Sequence, residues 1–311
     1  MKTHNLTSPA CCFIVVASEE RPKRLSESWS PSGLSPQQAA AVKKGILRQS
    51  SLRARKMVCP ANVLVSAQEA DRGMWEGPFW FTRPANRFIS NHGAPTSLST
   101  TAALLTVAAR APSCLVAVLP SDFWVSRESV LTEAIEGVFQ LLPNTPESVA
   151  TLGMVDAHVD VDQDYLVVGP NNLQKGAVIQ ARINRPEPRI AQQLVSEGAI
   201  VASGILLGYA QAFASRIFKY WPHLGRELTN MLEPDCFSEL EHRLSTETYR
   251  DIPRSAINSI RLSPPTFPMR AFAVRGSGWC NRSSLSESRP GAEPRHHANT
   301  CRPDFATEVR I

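Results

Sequence analysis

Leu115 to Asp122 reads LVAVLPSD: an unbroken apolar run, then a proline, a serine and an aspartate. Such a run reads as a strand covered on both faces, the habit of parallel sheets lying between helix layers. The proline interrupts the ladder, and the aspartate is delivered at the carboxyl end of the strand, the edge at which open α/β sheets bind ligands. A carboxylate there suits a hard cation such as Mg²⁺, and equally suits the cap of a following helix.

Other apolar runs of the same kind lie on both sides of this one, at Cys12 to Ala17, Asn62 to Ala67, Val149 to Val155 and Ile200 to Gly208. Between them the pattern changes to helical spacing. Ser97 to Arg110 sets Leu98, Ala102, Leu105 and Ala109 on one stripe, and Pro112 follows. Ser129 to Leu142 turns Val130, Ala134, Ile135, Val138 and Leu142 inward and ends at Pro143. Arg189 to Glu197 and Ala210 to Tyr220 pair Ile190 with Leu194 and Phe213 with Ile217. Strand and helix in alternation predict an α/β fold, a mostly parallel twisted sheet between helices.

The chain has 311 residues, 43% of them hydrophobic and 20% charged, enough to bury one large core or two modest ones. Its net charge of +5 suits a protein that handles phosphate, but the cations are spread along the chain, and no module for reading nucleic acid is visible. The seven cysteines are scattered without CxxC pairs, which points to a reduced, cytoplasmic setting and away from a zinc site. Ala10 to Ala17 is too short to span a membrane and reads as a strand, with a signal peptide as the minor alternative. From Arg282 onward apolar residues nearly vanish, so residues 1–281 are expected to form the domain and 282–311 a disordered tail.

Asn91 to Pro95, NHGAP, precedes the helix that leads into LVAVLPSD; Thr151 to Val155 is TLGMV, Ile200 to Leu207 is IVASGILL, Gly276 to Asn281 is GSGWCN, and Glu20 to Leu25 is ERPKRL. In order and spacing these segments resemble those of the sugar-1-phosphate nucleotidyltransferases, nearest to mannose-1-phosphate guanylyltransferase, which carry NRGTAP, a late GxGWSD, LWNSG, EKP and ERPKQF. The resemblance runs from Cys12 to Asn281. It implies a Rossmann-like nucleotide-diphospho-sugar transferase (glycosyltransferase-A-like) fold, and transfer of a nucleotidyl group from GTP to mannose 1-phosphate or another sugar phosphate with Mg²⁺ as cofactor.

By the same resemblance Asp122 and Asn281 take the two metal positions and Lys23, with Asp122, the catalytic ones. Ala17, Arg21, Gly93 and Ser121 line the nucleotide, and Gly153, Tyr165, Arg185 and Ser203 the sugar phosphate. No nucleic-acid or membrane partner is implied; a homo-oligomer or an active paralogue is. The departures are specific. The family's glycine-rich GGxGTRL loop is missing, since Ala17 is followed by Ser18, Glu19 and then ERPKRL. Asn281 replaces a metal-binding aspartate, Ala202 the asparagine of WNSG, Asn184 the glutamate of EKP, Leu166 the glycine of YGWI and Phe123 a histidine. A second reading therefore stands beside the enzyme: a catalytically inactive relative that binds a sugar phosphate or regulates a partner. A third is a decayed gene product.

Three further patterns carry less. Asp156 to Asp164, DAHVDVDQD, has Tyr165 and Asn171 where a calcium loop needs glycine and glutamate, and reads as an acidic solvated loop. His296, His297 and Cys301 lie in the polar tail. Trp75, Phe79, Trp80 and Phe81 beside Arg83 read as core or interface packing, with base stacking as the alternative. No serine or cysteine nucleophile is paired with a histidine in a recognisable context.

Overall fold

A computed structural model describes residues 11–17, 36–91, 96–121, 123–125, 127–155, 163–169, 176–232, 240–244, 269–274 and 279–281. In chain order its elements are β1 (Cys11–Val16), α1 (Pro36–Met57), β2 (Val63–Gln68), α2 (Arg72–Trp75), β3 (Arg87–Ser90), α3 (Thr96–Arg110), β4 (Leu115–Pro120) and β5 (Phe123–Val125). Then come α4 (Glu128–Leu141), β6 (Val149–Met154), β7 (Asp164–Val168), β8 (Ala177–Asn184), α5 (Pro188–Ser196), β9 (Ile200–Tyr209), α6 (Ala210–Tyr220), α7 (Pro222–Leu232), β10 (His242–Leu244), β11 (Met269–Val274) and β12 (Trp279–Asn281). The expected tail at 282–311 lies outside the described residues.

Ten strands form one sheet in the order β10-β3-β2-β1-β4-β9-β6-β11-β8-β7. From β10 to β4 all neighbours are parallel, with Val16 of β1 opposite Pro120 of β4. Beyond β4 the pattern changes: β9 is antiparallel to both β4 and β6, β11 is parallel to β6, and β8 is antiparallel to β11 and β7. β7 then returns to β9 through Tyr165 opposite Val201 and Leu166 opposite Ile200, so β9, β6, β11, β8 and β7 close into a barrel-like ring. The expectation of a mostly parallel sheet is thus corrected to a mixed one. An apolar run of β-branched residues specifies burial on both faces and says nothing about strand direction.

Alternation along the central strands divides two apolar layers. Ala117 and Leu119 of β4 join Val63, Val65 and Ala67 of β2 in the core under α1 and α4. Val116 and Val118 join Leu64 in the core under α3, α6 and α7. Residues Thr96 to Ala108 of α3 are all buried, while Ala109 is exposed. The one-sided stripe expected there is corrected, because α6 and α7 cover the face of α3 that turns away from the sheet. The helix tolerates this with small side chains and with hydroxyls bonded to its own carbonyls, as Thr101 Oγ1 does to Ser97 at 2.7 Å. Ile190 is 46% exposed and Leu194 buried, so α5 presents only part of its expected face. The aromatic cluster also divides: Trp75 and Phe79 are fully buried and Trp80 is 70% exposed. Among the described residues no helix is long and apolar enough to cross a membrane.

An ionic clasp secures the β10 edge. Arg72 Nη2 donates to Glu241 at 2.8 Å and Nε to Glu69 at 2.8 Å, while Arg87 reaches Glu241 at 3.3 Å. Glu241 and Glu69 both titrate below the ordinary carboxylate range, chiefly because Arg72 hydrogen-bonds their charged forms. The resulting stabilisation is complete above that range and is lost as pH falls through the lowered values. Glu241→Gln should therefore lower stability by about 1–2 kcal/mol near neutrality, a figure moderated by solvent at the clasp. In urea unfolding across pH, the gap to wild type should close below about pH 4; a gap that persists in acid would assign the loss to packing.

Candidate functional site

The carboxyl ends of β1 and β4 lie side by side. The Ala17 amide donates to Ser66 at 2.8 Å, which extends the parallel ladder one residue past β1 and keeps Ala17 buried. Ser121, directly after β4, is also buried. The chain then enters β5, which pairs antiparallel with β12 so that Phe123 faces Asn281 and Val125 faces Trp279. This two-stranded sheet brings together residues 123–125 and 279–281, two segments far apart in sequence.

Beneath β5 lies a residue that the sequence reading missed. Arg53 of α1 is 3% exposed, its guanidinium 4.5 Å from the centre of the Phe123 ring. It binds Glu128 at the start of α4 through Nε and Nη2, at 2.7 and 2.8 Å. This fork and the ring contact join α1, β5 and α4. The sequence reading named no helix over residues 36–57, so nothing in it marked Arg53 for burial. The same contact explains Phe123: the ring is buried under the cation.

On the side of β4 away from β1, strand β9 carries a bulge against β6. Thr151 of β6 faces Leu206 and Gly153 faces Ala202, which leaves Ser203, Gly204 and Ile205 opposite Leu152 alone. Ser203 Oγ donates to the Leu152 carbonyl at 2.7 Å and accepts from the Ile205 amide at 3.1 Å; Thr151 Oγ1 donates to the Ile205 carbonyl at 2.8 Å. Side-chain hydroxyls thus satisfy backbone groups that the bulge removes from the ladder. Gly204 adopts φ +75°, and a Cβ there would stand 3.0 Å from Pro120 Cγ. A strained side chain is avoided at the point where β9 meets the end of LVAVLPSD.

The expected site residues fall into three groups. Ala17 and Ser121 directly follow the paired strands β1 and β4, Asn281 lies opposite Phe123, and Gly153 and Ser203 lie on the paired strands β6 and β9, with the hydroxyl of Ser203 engaged within the bulge. Tyr165 is fully buried in an apolar cluster with Met154, Ala191, Leu194 and Val201. Arg185 is exposed just past β8 at φ 41°, a left-handed conformation unusual for a residue with a side chain. Lys23, Arg21, Gly93 and Asp122 lie outside the described residues. Among the described residues no group of three His, Cys, Asp or Glu side chains gathers as a metal site. Asp122 and the side chain of Asn281, the two groups expected to hold Mg²⁺, are not among those described.

No family model matches this chain, and no curated protein matches its sequence. Solved structures do match its fold. A mannose-1-phosphate geranyltransferase from Thermus thermophilus superposes with a TM-score of 0.62 at 14% identity, over 87% of this chain and 76% of its own. A mannose-6-phosphate isomerase from Helicobacter pylori gives 0.59 at 16% identity, over 87% of this chain and 100% of its own. At such identities the likeness shows a common α/β fold.

Two substitutions test this geometry. A Cβ on Gly153 would lie 2.3 Å from Ile200 Cδ1, so Gly153→Ala should cost about 1–3 kcal/mol by overpacking, most of it recovered in the double variant with Ile200→Ala; additive losses in denaturant melts would refute the contact. Arg185→Gly should be about 1 kcal/mol more stable than Arg185→Ala, because only glycine adopts φ 41° without strain. Equal melting temperatures for the two would show that residue 185 relaxes.

Proposed function

We propose that the chain is a sugar-1-phosphate nucleotidyltransferase that joins mannose 1-phosphate to GTP and releases GDP-mannose and pyrophosphate. A phosphate oxygen of the sugar attacks the α-phosphorus of GTP, the bond from that phosphorus to the β-phosphate bridge breaks, and pyrophosphate leaves. No covalent enzyme intermediate forms, so catalysis rests on positioning and on neutralising charge. The observation that best supports this reading is the pairing of β12 with β5, in which Asn281 lies opposite Phe123, the residue after Asp122 in sequence.

In this reading Ala17, Arg21, Gly93 and Ser121 border the nucleotide, and Lys23 faces its phosphates as a compact point charge. Arg185 faces the sugar phosphate with a fork suited to two oxygens. Gly153 keeps the floor of the sugar pocket low, Ser203 holds the bulge that forms its wall, and Tyr165 fixes β7 behind it. Asp122 and Asn281 would hold Mg²⁺, which when bound neutralises phosphate charge. The direct step from Ala17 to ERPKRL, without a glycine-rich loop, and the neutral Asn281 favour a second reading, a regulatory subunit that binds a sugar phosphate and does not turn it over.

Thermal unfolding with GTP, GDP-mannose, mannose 1-phosphate and Mg²⁺ separates these readings, because a ligand that binds only the folded chain must stabilise it. The enzyme reading expects GTP with Mg²⁺ at about a hundred times its dissociation constant to add roughly 2.7 kcal/mol, an effect lost in Asp122→Ala. Asn281→Asp should lower the Mg²⁺ concentration needed for it and raise GDP-mannose output. Stabilisation by mannose 1-phosphate alone, with no response to GTP, would establish the regulatory reading; no response to any ligand would refute both.

A further inference from the structure

Helix α1 carries Lys43, Lys44, Arg48, Arg53, Arg55 and Lys56 and no carboxylate in 22 residues. Two of these cations are used inside the fold: Lys43 pairs with Asp71 at 3.6 Å and Arg53 with Glu128. Lys44, Arg48, Arg55 and Lys56 are exposed, and no ion pair is formed by them among the described residues. Lys44, Arg48, Leu52 and Lys56 recur at four-residue steps and Arg55 lies beside them, so they make one stripe about 18 Å long at 1.5 Å per residue. Leu52, at its middle, is 43% exposed.

A second surface adjoins this stripe. The Ser51 hydroxyl bonds the Pro78 carbonyl at 2.6 Å and fixes the following turn to α1. Trp80 on that turn is 70% exposed. The Arg55 guanidinium lies 6.0 Å from the Trp80 ring centre and 4.9 Å from that of Phe81. With Leu52 and Trp80 both exposed and Arg55 over the Trp80 ring, this face has the tryptophan and arginine content of a protein-binding hot spot. Like charges at four-residue spacing also destabilise the free helix, a cost that a partner of opposite charge removes.

We infer that this face docks an acidic amphipathic helix of another protein, with carboxylates at four-residue intervals against Lys44, Arg48, Arg55 and Lys56 and one apolar side chain seated between Leu52 and Trp80. Residues four apart form a ridge inclined to the helix axis, which the groove of a second helix accepts. Single-stranded nucleic acid is disfavoured, because an aliphatic side chain interrupts the cations and Arg55 already attends the Trp80 ring. A lipid surface is disfavoured as well, since two apolar side chains offer little area to insert. The inference is independent of catalysis at the sheet edge.

The test uses the full chain and a fluorescein-labelled alanine-based helical peptide with glutamate at every fourth position and one central leucine, read by anisotropy at low salt. Saturable binding is expected. It should weaken about tenfold or more in Arg48→Glu with Arg55→Glu, and clearly in Trp80→Ala, while far-UV circular dichroism stays unchanged. A peptide with glutamine for glutamate, or with alanine for the central leucine, should bind poorly. The inference is overturned if the peptide does not saturate, if the variants bind it like wild type, or if the glutamine peptide binds equally well. It is also overturned if an oligothymidylate or phosphatidylserine vesicles bind more tightly than the peptide and lose binding in the same variants.

Discussion

Strand β9 has to satisfy three neighbours at once. Its first residues hydrogen-bond to β7 and β6, and its last ones to β4 and β6. A straight strand cannot lie flat in the open parallel layer and also curve into the ring of β6, β11, β8 and β7. The bulge at Ser203, Gly204 and Ile205 resolves the conflict by bending the strand where the two regimes meet. Ser203, Thr151 and the left-handed Gly204 make the bend possible, and each sits on a segment whose sequence order first suggested the fold. The seam between the two parts of the sheet and the wall of the candidate site are therefore one object.

That shared role explains which parts were legible in the sequence. LVAVLPSD announced a strand buried on both faces, and β4 is one, with the chain turning off at Pro120. The helices from Thr96, Glu128 and Ala210 were readable because apolar spacing and prolines delimit them. Direction was not readable: IVASGILL is as apolar as the parallel strands, and only its neighbours make it antiparallel. Burial of α3 on all sides was equally hidden, since it depends on α6 and α7, more than a hundred residues away, and Ile190 shows the reverse error on α5.

For the site, the order of short segments carried more than any single residue. Asn281 and Asp122 were named as a pair by that order; the pairing of β12 with β5 sets Asn281 opposite Phe123. Tyr165 and Ser203 were named by position alone, and the fold assigns their side chains to a core and to a backbone bulge. Arg53 was missed because a buried arginine is recognised by what it touches, here a ring on one strand and a carboxylate at a helix start. Its guanidinium charge is matched by Glu128, so the cation can lie inside the protein without depending on the ligand edge above it.

The strand pairings also set an order of events during synthesis. β11 and β12 emerge after nearly every other described element, yet β11 completes the ring against β6 and β8, and β12 lies against β5. Until residues 269 to 281 leave the ribosome, β6 holds an open backbone edge and the strand beside position 122 has no partner in its small sheet. Contacts of such long sequence separation form late and slowly. The nascent chain therefore passes through a stage in which the parallel layer can already pack while the ring stands open and its strand edges are exposed.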